Sequence, residues 1–381
     1  MLQFENLRNW VIYSFIFMAA FPASAAIVPA PPAVNAKSYL VQDFRSGRII
    51  VSENIDERVE PASLTKLMTV YIAARELAAG HIHMDDKVLV SEKAWRMGGS
   101  RMFIEVNKKV SVGDLLKGII VSSGNDASVA LAEYISGSEE VFVSEMNLQA
   151  KQLGMKNTHF VNSTGWPDEN HYSTARDLAI LARAVVHEHP DIYALYSLKE
   201  FTYNGIKQHN RNQLLWRDDS VDGLKTGHTD SAGFCLIASA KRDNMRLISV
   251  VMGTSGFDAR TQATQSLLNY AFRFYETRKL YKAHESIASN KIWKGDVDNI
   301  NLGINDDLWI TFPRNKFREL DKTIDVPPQI IAPVNKGDRQ GVLKVTLDGE
   351  ELAERPLVAL ESVGEGGFFE RIRDDIKLML Q

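Results

Sequence analysis

The chain holds a single cysteine, Cys235, among 381 residues. One cysteine excludes an intramolecular disulfide and a thiolate metal site. In the run Phe234-Cys235-Leu236-Ile237 it reads as a small buried hydrophobe on a strand. Histidine is sparse, at 9 residues. The pairs His81/His83 and His187/His189 flank helix ends, where solvated side chains are expected and no metal site is built. Positive charge is not in excess: 44 Lys and Arg stand against 48 Asp and Glu. A nucleic-acid partner, which needs a basic patch, is not expected. The apolar run at residues 10–21 is too short and too poorly flanked for a transmembrane helix.

That run does fit a secretory signal. Ala23-Ser24-Ala25 follows it as an A-x-A cleavage pattern, which gives a signal peptide over residues 1–25. The other reading is an uncleaved N-terminal anchor. Either way the rest of the chain is exported. Export without a disulfide fits a bacterial periplasm, where a large core suffices for stability. At 45% hydrophobic and 24% charged residues, the composition is globular, and the length allows two domains.

Residues 26–37, rich in proline, read as a linker. A hairpin is predicted over 38–52, turning at Ser46-Gly47. Residues 61–79 carry a helical pattern with proline at the start, apolar Leu64, Leu67, Met68, Tyr71 and Ile72, and Gly80 as the stop. Helices follow at 112–121, 126–135, 139–153 and 173–187, the last opened by a serine with Asp177 near its first turn. Strands return at 233–240 and 245–252, and a helix closes the segment at 259–277. Strands at both ends around a helical block predict an α+β domain over 38–278. Alternation at Leu308-Trp309-Ile310-Thr311-Phe312 and a hairpin around Asp348-Gly349 predict a small all-β domain over 279–363. Residues 364–381 place Phe368, Phe369, Ile372, Ile376, Met379 and Leu380 on one helical face. This amphipathic helix fits a membrane-surface anchor or a helix docked on its own protein.

Within the first domain, Ser63-Leu64-Thr65-Lys66 puts a hydroxyl and an amine on one helical face, a nucleophile beside a base. Alone the pattern is weak. Downstream come Ser123-Gly124-Asn125-Asp126, between two helices, and Asp222-Gly223-Leu224-Lys225-Thr226-Gly227-His228-Thr229, leading into a strand. The ordered triple is specific. With Pro61-Ala62 before the first motif, the chain resembles the low-molecular-mass penicillin-binding proteins, the serine-type D-alanyl-D-alanine carboxypeptidases. The resemblance runs from about residue 38 to the C-terminus. It implies a β-lactamase/transpeptidase-like catalytic domain, an antiparallel sheet with an inserted helical region, before the β domain and tail.

Ser63 needs a base to attack a carbonyl, and Lys66 suits if it is neutral when it acts. Burial, the helix N-terminal dipole and the second ammonium of Lys225 would all lower its pKa. Ser123 would bridge protons between Lys66 and the leaving amine, and Asn125 would hold the substrate amide and Lys66 together. Gly227 would let a peptide pair with the strand edge. The resemblance implies an oxyanion hole from the backbone N–H groups of Ser63 and His228. The His228 side chain is expected at the surface or behind the site. A substrate ending in a free carboxylate needs cations and hydrogen-bond donors: the Lys225 ammonium and the Thr226 hydroxyl, with Arg211 and Arg260 by resemblance. The competing reading of the two arginines is surface or ion-paired. Residues 95–103, with Gly98-Gly99, are expected as a loop beside the entrance.

The resemblance implies removal of the terminal D-alanine from peptidoglycan stem pentapeptides, through an acyl-enzyme on Ser63 that β-lactams also form. Peptidoglycan synthesis and cell shape follow, in a periplasmic enzyme held on the outer face of the inner membrane through its C-terminal helix. No metal or cofactor is expected. A β-lactamase would need a deacylating glutamate in an E-x-x-L-N segment; residues 162–173 contain Glu169 without that pattern. A non-catalytic peptidoglycan-binding scaffold would not need every chemical residue to be present.

Overall fold

The computed structural model describes residues 28–380. The signal segment expected at 1–25 lies outside the described residues. All that follows concerns the compact unit Pro31–Gln381.

Strands β1 (Ser38–Asp43) and β2 (Ile49–Glu53) form the predicted hairpin, with Gly47 at φ +76° in its turn. A 3₁₀ turn, Ala62–Thr65, leads into helix α1 (Lys66–Ala78), which Gly80 ends at φ +75°. Ser63 therefore stands on a 3₁₀ turn, where the reading from sequence was an α-helix from residue 61. Helix α2 (Val112–Lys117) runs into a π-helical turn, Gly118–Ser122. Next come α3 (Asn125–Ser136), α4 (Glu139–Gln152) and α5 (Ala175–Glu188). The cap of α5 is Thr174, whose hydroxyl accepts the Asp177 N–H, and not the neighbouring serine.

Strands β3 (Val221–Thr229), β4 (Gly233–Arg242) and β5 (Met245–Thr254) complete an antiparallel sheet in the order β2-β1-β5-β4-β3. Helix α6 (Phe257–Phe274) packs on it. The helical block is thus inserted between the first two strands and the last three, as an α+β domain requires. The order leaves β3 at an edge, against the 3₁₀ turn of Ser63.

Helix α6 stops at Phe274; Thr277, expected within it, lies on a strand, Tyr275–Tyr281, paired with Leu308–Pro313. Tyr275, an aromatic residue with good strand propensity, is already extended at φ −121°. The residues after it build a β-rich part with its own buried core around Ile300, Leu302, Ile310, Phe312, Leu343 and Val345. The Asp348-Gly349 turn has both residues at positive φ and joins Arg339–Leu347 to Glu350–Ala359. Buried Asp43 ties the two parts, accepting from the Thr277 hydroxyl at 2.7 Å and from Ser46.

The tail forms helix α7 (Phe368–Met379). Its polar side faces the β-rich part: Asp374 accepts the Lys294 N–H at 2.8 Å, and Asp375 pairs with the Lys294 ammonium. Phe368, Phe369, Ile372, Ile376 and Met379 face outward, Phe369 being 84% exposed. Among the described residues no helix is long and apolar enough to cross a membrane.

Candidate active site

Three elements converge on a cleft of about 640 Å³: the 3₁₀ turn, the segment between the π-turn and α3, and edge strand β3. Lys66 is fully buried. Its Nζ donates to Ser63 Oγ at 3.0 Å, Asn125 Oδ1 at 2.7 Å and the Thr164 carbonyl at 2.6 Å. An ammonium has three N–H donors, and here each finds one neutral oxygen. No carboxylate is among its partners. Lys225, reaching in from β3, donates to Ser123 Oγ at 2.9 Å and to the Thr226 carbonyl at 3.0 Å. Ser123 is thereby joined to Lys225; no hydrogen bond links it to Lys66 among the described residues. The Ser123 backbone sits in the left-handed region at φ +59°, which turns the chain from the π-turn into α3.

Burial pushes the Lys66 amine down to about 7, with Arg211 acting in the same direction and Asp126 opposing. Burial also lowers Lys225, helped by Lys66, Arg211 and Arg260. Of the causes expected from the sequence, burial acts on Lys66, but the charge that helps lower it is that of Arg211 and not that of Lys225.

Gly227 is constrained by its own chain. A Cβ there would meet the Pro61 carbonyl oxygen at 3.0 Å and Leu64 Cγ at 3.2 Å. Its missing side chain lets β3 press against the turn of Ser63, in addition to leaving the strand edge open to a peptide. Thr226 and the exposed His228 line the cleft, and the His228 ring stacks on Phe234 at 4.0 Å.

Neither arginine is ion-paired among the described residues; the surface reading holds for Arg211 and not for Arg260. Arg260 is 3% exposed and donates to the carbonyl oxygens of Gly227, Cys235 and Arg211. Arg211 is exposed on the cleft wall and makes no ion pair among the described residues. Both guanidinium groups line the cleft with no carboxylate paired to them among the described residues, an arrangement open to an anionic ligand end.

A family profile described as D-alanyl-D-alanine carboxypeptidase matches residues 25–256, and one described as the C-terminal domain of penicillin-binding protein 5 matches 275–365. The chain belongs to the D-alanyl-D-alanine carboxypeptidase family. It is 41% identical over 361 residues to the D-alanyl-D-alanine carboxypeptidase DacA of Escherichia coli, covering 93% of this chain and 90% of the relative. The fold matches penicillin-binding protein 5 from Haemophilus influenzae with a TM-score of 0.86 and 43% identity, over 88% of this chain and 100% of that one. Penicillin-binding protein D2 from Listeria monocytogenes, in an ampicillin-bound form, matches with a TM-score of 0.58 and 31% identity, over 63% and 98% of the two chains. This protein is a serine-type carboxypeptidase and penicillin-binding protein acting on peptidoglycan.

In this carboxypeptidase several residues that matter to the site escape a reading by motif. The Thr164 carbonyl, one of three Lys66 partners, is a backbone atom. Asn162 Oδ1 holds it in place by accepting the N–H groups of Thr164, Gly165 and Trp166. Gly165, at φ +81°, lies so close to the Ser63 turn that a Cβ would fall 1.8 Å from the Ala62 oxygen. Asp126 accepts the N–H groups of Met102, Phe103 and Ile104, and Asn125 Nδ2 donates to the Gly98 carbonyl at 2.8 Å. These bonds fix the 98–104 loop as one wall of the cleft. Buried His171 joins Thr65 Oγ1 at 2.8 Å. The sequence signals were an Asn-x-x-Gly turn and an Asp after Ser-Gly-Asn, neither of which says what it touches.

Of the remaining histidines, His81 and His83 are exposed and pair with Glu76 and Asp86. His189 is half-buried: its ring packs on Tyr71 at 5.3 Å, and its buried Nε2 has no partner among the described residues. Among the described residues no cluster of His, Cys, Asp and Glu is arranged to hold a metal ion.

Proposed function

We propose that Ser63 Oγ attacks the carbonyl joining the last two D-alanines of a peptidoglycan stem pentapeptide. Neutral Lys66 takes the hydroxyl proton. The acyl C–O bond forms, the C–N bond breaks, and the leaving D-alanine amine takes a proton from Ser123 Oγ, which Lys225 resupplies. Water then hydrolyses the acyl-enzyme: its proton passes back through Ser123 to Lys225, and Lys66 returns its proton to Ser63 Oγ. The backbone N–H groups of Ser63 and His228 receive the developing oxyanion. Asn125 and edge strand β3 hold the peptide as an added strand, and Thr226, Arg211 and Arg260 receive its terminal carboxylate.

The observation that supports this most is the cradle of Lys66. As a neutral amine, Lys66 keeps two N–H donors for Asn125 and Thr164 and turns its lone pair to Ser63. A β-lactamase reading is disfavoured because no carboxylate touches Lys66, Asp230 is the lone acid among the cleft-lining residues, and Glu169 is exposed. The test uses the full-length protein and a labelled penicillin. One penicilloyl group per chain should map to the peptide containing Ser63, and D-alanine should be released from an acetylated Lys-D-Ala-D-Ala peptide. An adduct elsewhere, or no D-alanine, defeats the reading.

The fine placement is also proposed: a periplasmic enzyme on the outer face of the inner membrane, trimming wall peptides in cell-shape maintenance. Helix α7 supports it, because ion pairs occupy its polar side while its phenylalanines face outward. Deleting residues 364–381 should move the protein from the membrane pellet to the supernatant with peptide turnover unchanged. A truncated protein that still pellets refutes the anchor. We also propose the division into a catalytic part over 38–278 and a β part over 279–363; the end of α6 at Phe274 supports a boundary in this region.

A further inference from the structure

The cleft of Ser63 does not end at Arg211 and Arg260. Phe257, whose ring covers the Arg260 guanidinium at 4.6 Å, also lines a second groove of about 410 Å³. His209, Asn210, Gln213, Trp216 and Arg217 complete that groove. Trp216, on the short turn Leu214–Arg217, is 45% exposed. Among the described residues no aromatic ring or cation lies over its indole, and its N–H has no acceptor. The Gln213 side-chain oxygen is buried in the same region without a hydrogen-bond partner.

Two properties define what fits. An open indole face rimmed by amide and imidazole groups suits a flat ligand with apolar faces and a hydrogen-bonding edge. The groove also offers no spare charge: Arg217 pairs with Asp258 at 3.3 Å, and His209 faces Glu200 at 3.8 Å. A second stem peptide, with its carboxylates, would meet no unpaired cation here. We propose that this groove binds an N-acetylated sugar of the peptidoglycan glycan, the neutral part of the polymer on which the enzyme acts. The stem peptide ends at the two arginines, so the sugar belongs to a neighbouring strand. This rests on the proposed orientation of the peptide in the cleft.

The test titrates a β-1,4-linked N-acetylglucosamine tetramer into the full-length protein by calorimetry, alongside D-alanine release from a short acetylated peptide. Wild type binds the tetramer. Trp216→Ala weakens that binding roughly threefold to tenfold. Gln213→Ala, which leaves the indole in place, weakens it as well, and both variants release D-alanine from the short peptide at wild-type rates. Absence of binding in wild type, or equal binding by Trp216→Ala, overturns the proposal. So does a folded Trp216→Ala variant that loses short-peptide turnover, because the groove would then belong to the peptide site. Failure of wild type itself to release D-alanine is a different result: it defeats the reading of the cleft, whatever the sugar does.

Discussion

Replacing Lys66 with methionine leaves a protein that folds and no longer acquires a penicilloyl group on the time scale of wild type. Methionine matches the length of the lysine stem and fills the buried site, so packing is kept. The amine that can take the Ser63 proton is gone. The loss in acylation rate should be at least about 10⁴-fold, the scale of removing one member of a nucleophile–base unit. The same chemistry fixes the pH dependence of wild type. Burial holds the Lys66 amine at about 7. Only the unprotonated amine can act as base, so the acylation rate should rise as pH increases through about 7. Stopped-flow labelling with a fluorescent penicillin reads both results. Rapid labelling of Lys66→Met, or a wild-type rate that falls over that interval, would remove Lys66 as the base.

Lowering the pH from 7 to about 4 should weaken the catalytic domain through His171. The ring is 2% exposed and packs edge-on against Phe160. Val161 N–H donates to its Nδ1 at 3.3 Å, which assigns the proton to Nε2, facing Thr65 Oγ1. Protonation would set two donors against each other at Nδ1 and place a charge beside Lys66. Burial is the main cause that pushes His171 down to about 4, against Asp168 and with help from His159 and Lys66. In the unfolded chain an imidazole titrates near 6.5. Above that pH neither state is protonated and stability is unaffected. As pH falls from 6.5 to 4 the unfolded state gains the proton first, and the native state loses on the order of 3 kcal/mol. Glutamine at this position can donate to Thr65 and accept from Val161 without titrating. His171→Gln should therefore show a flatter loss of urea-unfolding stability between pH 7 and 4. Equal slopes for the two proteins would refute the assignment.

His171 also illustrates why part of the site was hidden. Its neighbours Asn170 and Tyr172 carry no motif, and its partner Thr65 is remote in sequence. The same is true of the Thr164 carbonyl, since any residue type supplies a backbone oxygen. By contrast, Ser63, Lys66, Ser123, Asn125, Lys225 and Thr226 stood out because their chemistry lies in their side chains and their order along the chain was informative. The hairpin turns at Gly47 and Asp348-Gly349 and the stop at Gly80 were legible because each depends on the local backbone. The ends of α5 and α6 were less so: the cap fell on Thr174, and α6 gave way at Tyr275 to a strand whose partner, Leu308–Pro313, lies far along the chain.

The tail divides in the same way. Periodicity determined that residues 368–379 have one apolar face. Which face meets the protein was decided by Lys294, through its bonds to Asp374 and Asp375. By itself, then, the sequence determined the nucleophile, its amine neighbour one turn away, the order of the three motifs and the α+β plan, because these follow from local spacing and side-chain type. Only the tertiary structure decided that Lys66 is held by three neutral oxygens, that Ser123 is joined to Lys225, and that Arg211 and Arg260 line the cleft with no ion pair among the described residues. Burial, the presence of a carboxylate within reach and the position of a backbone carbonyl are set by chain segments distant in sequence that meet only when the protein is folded.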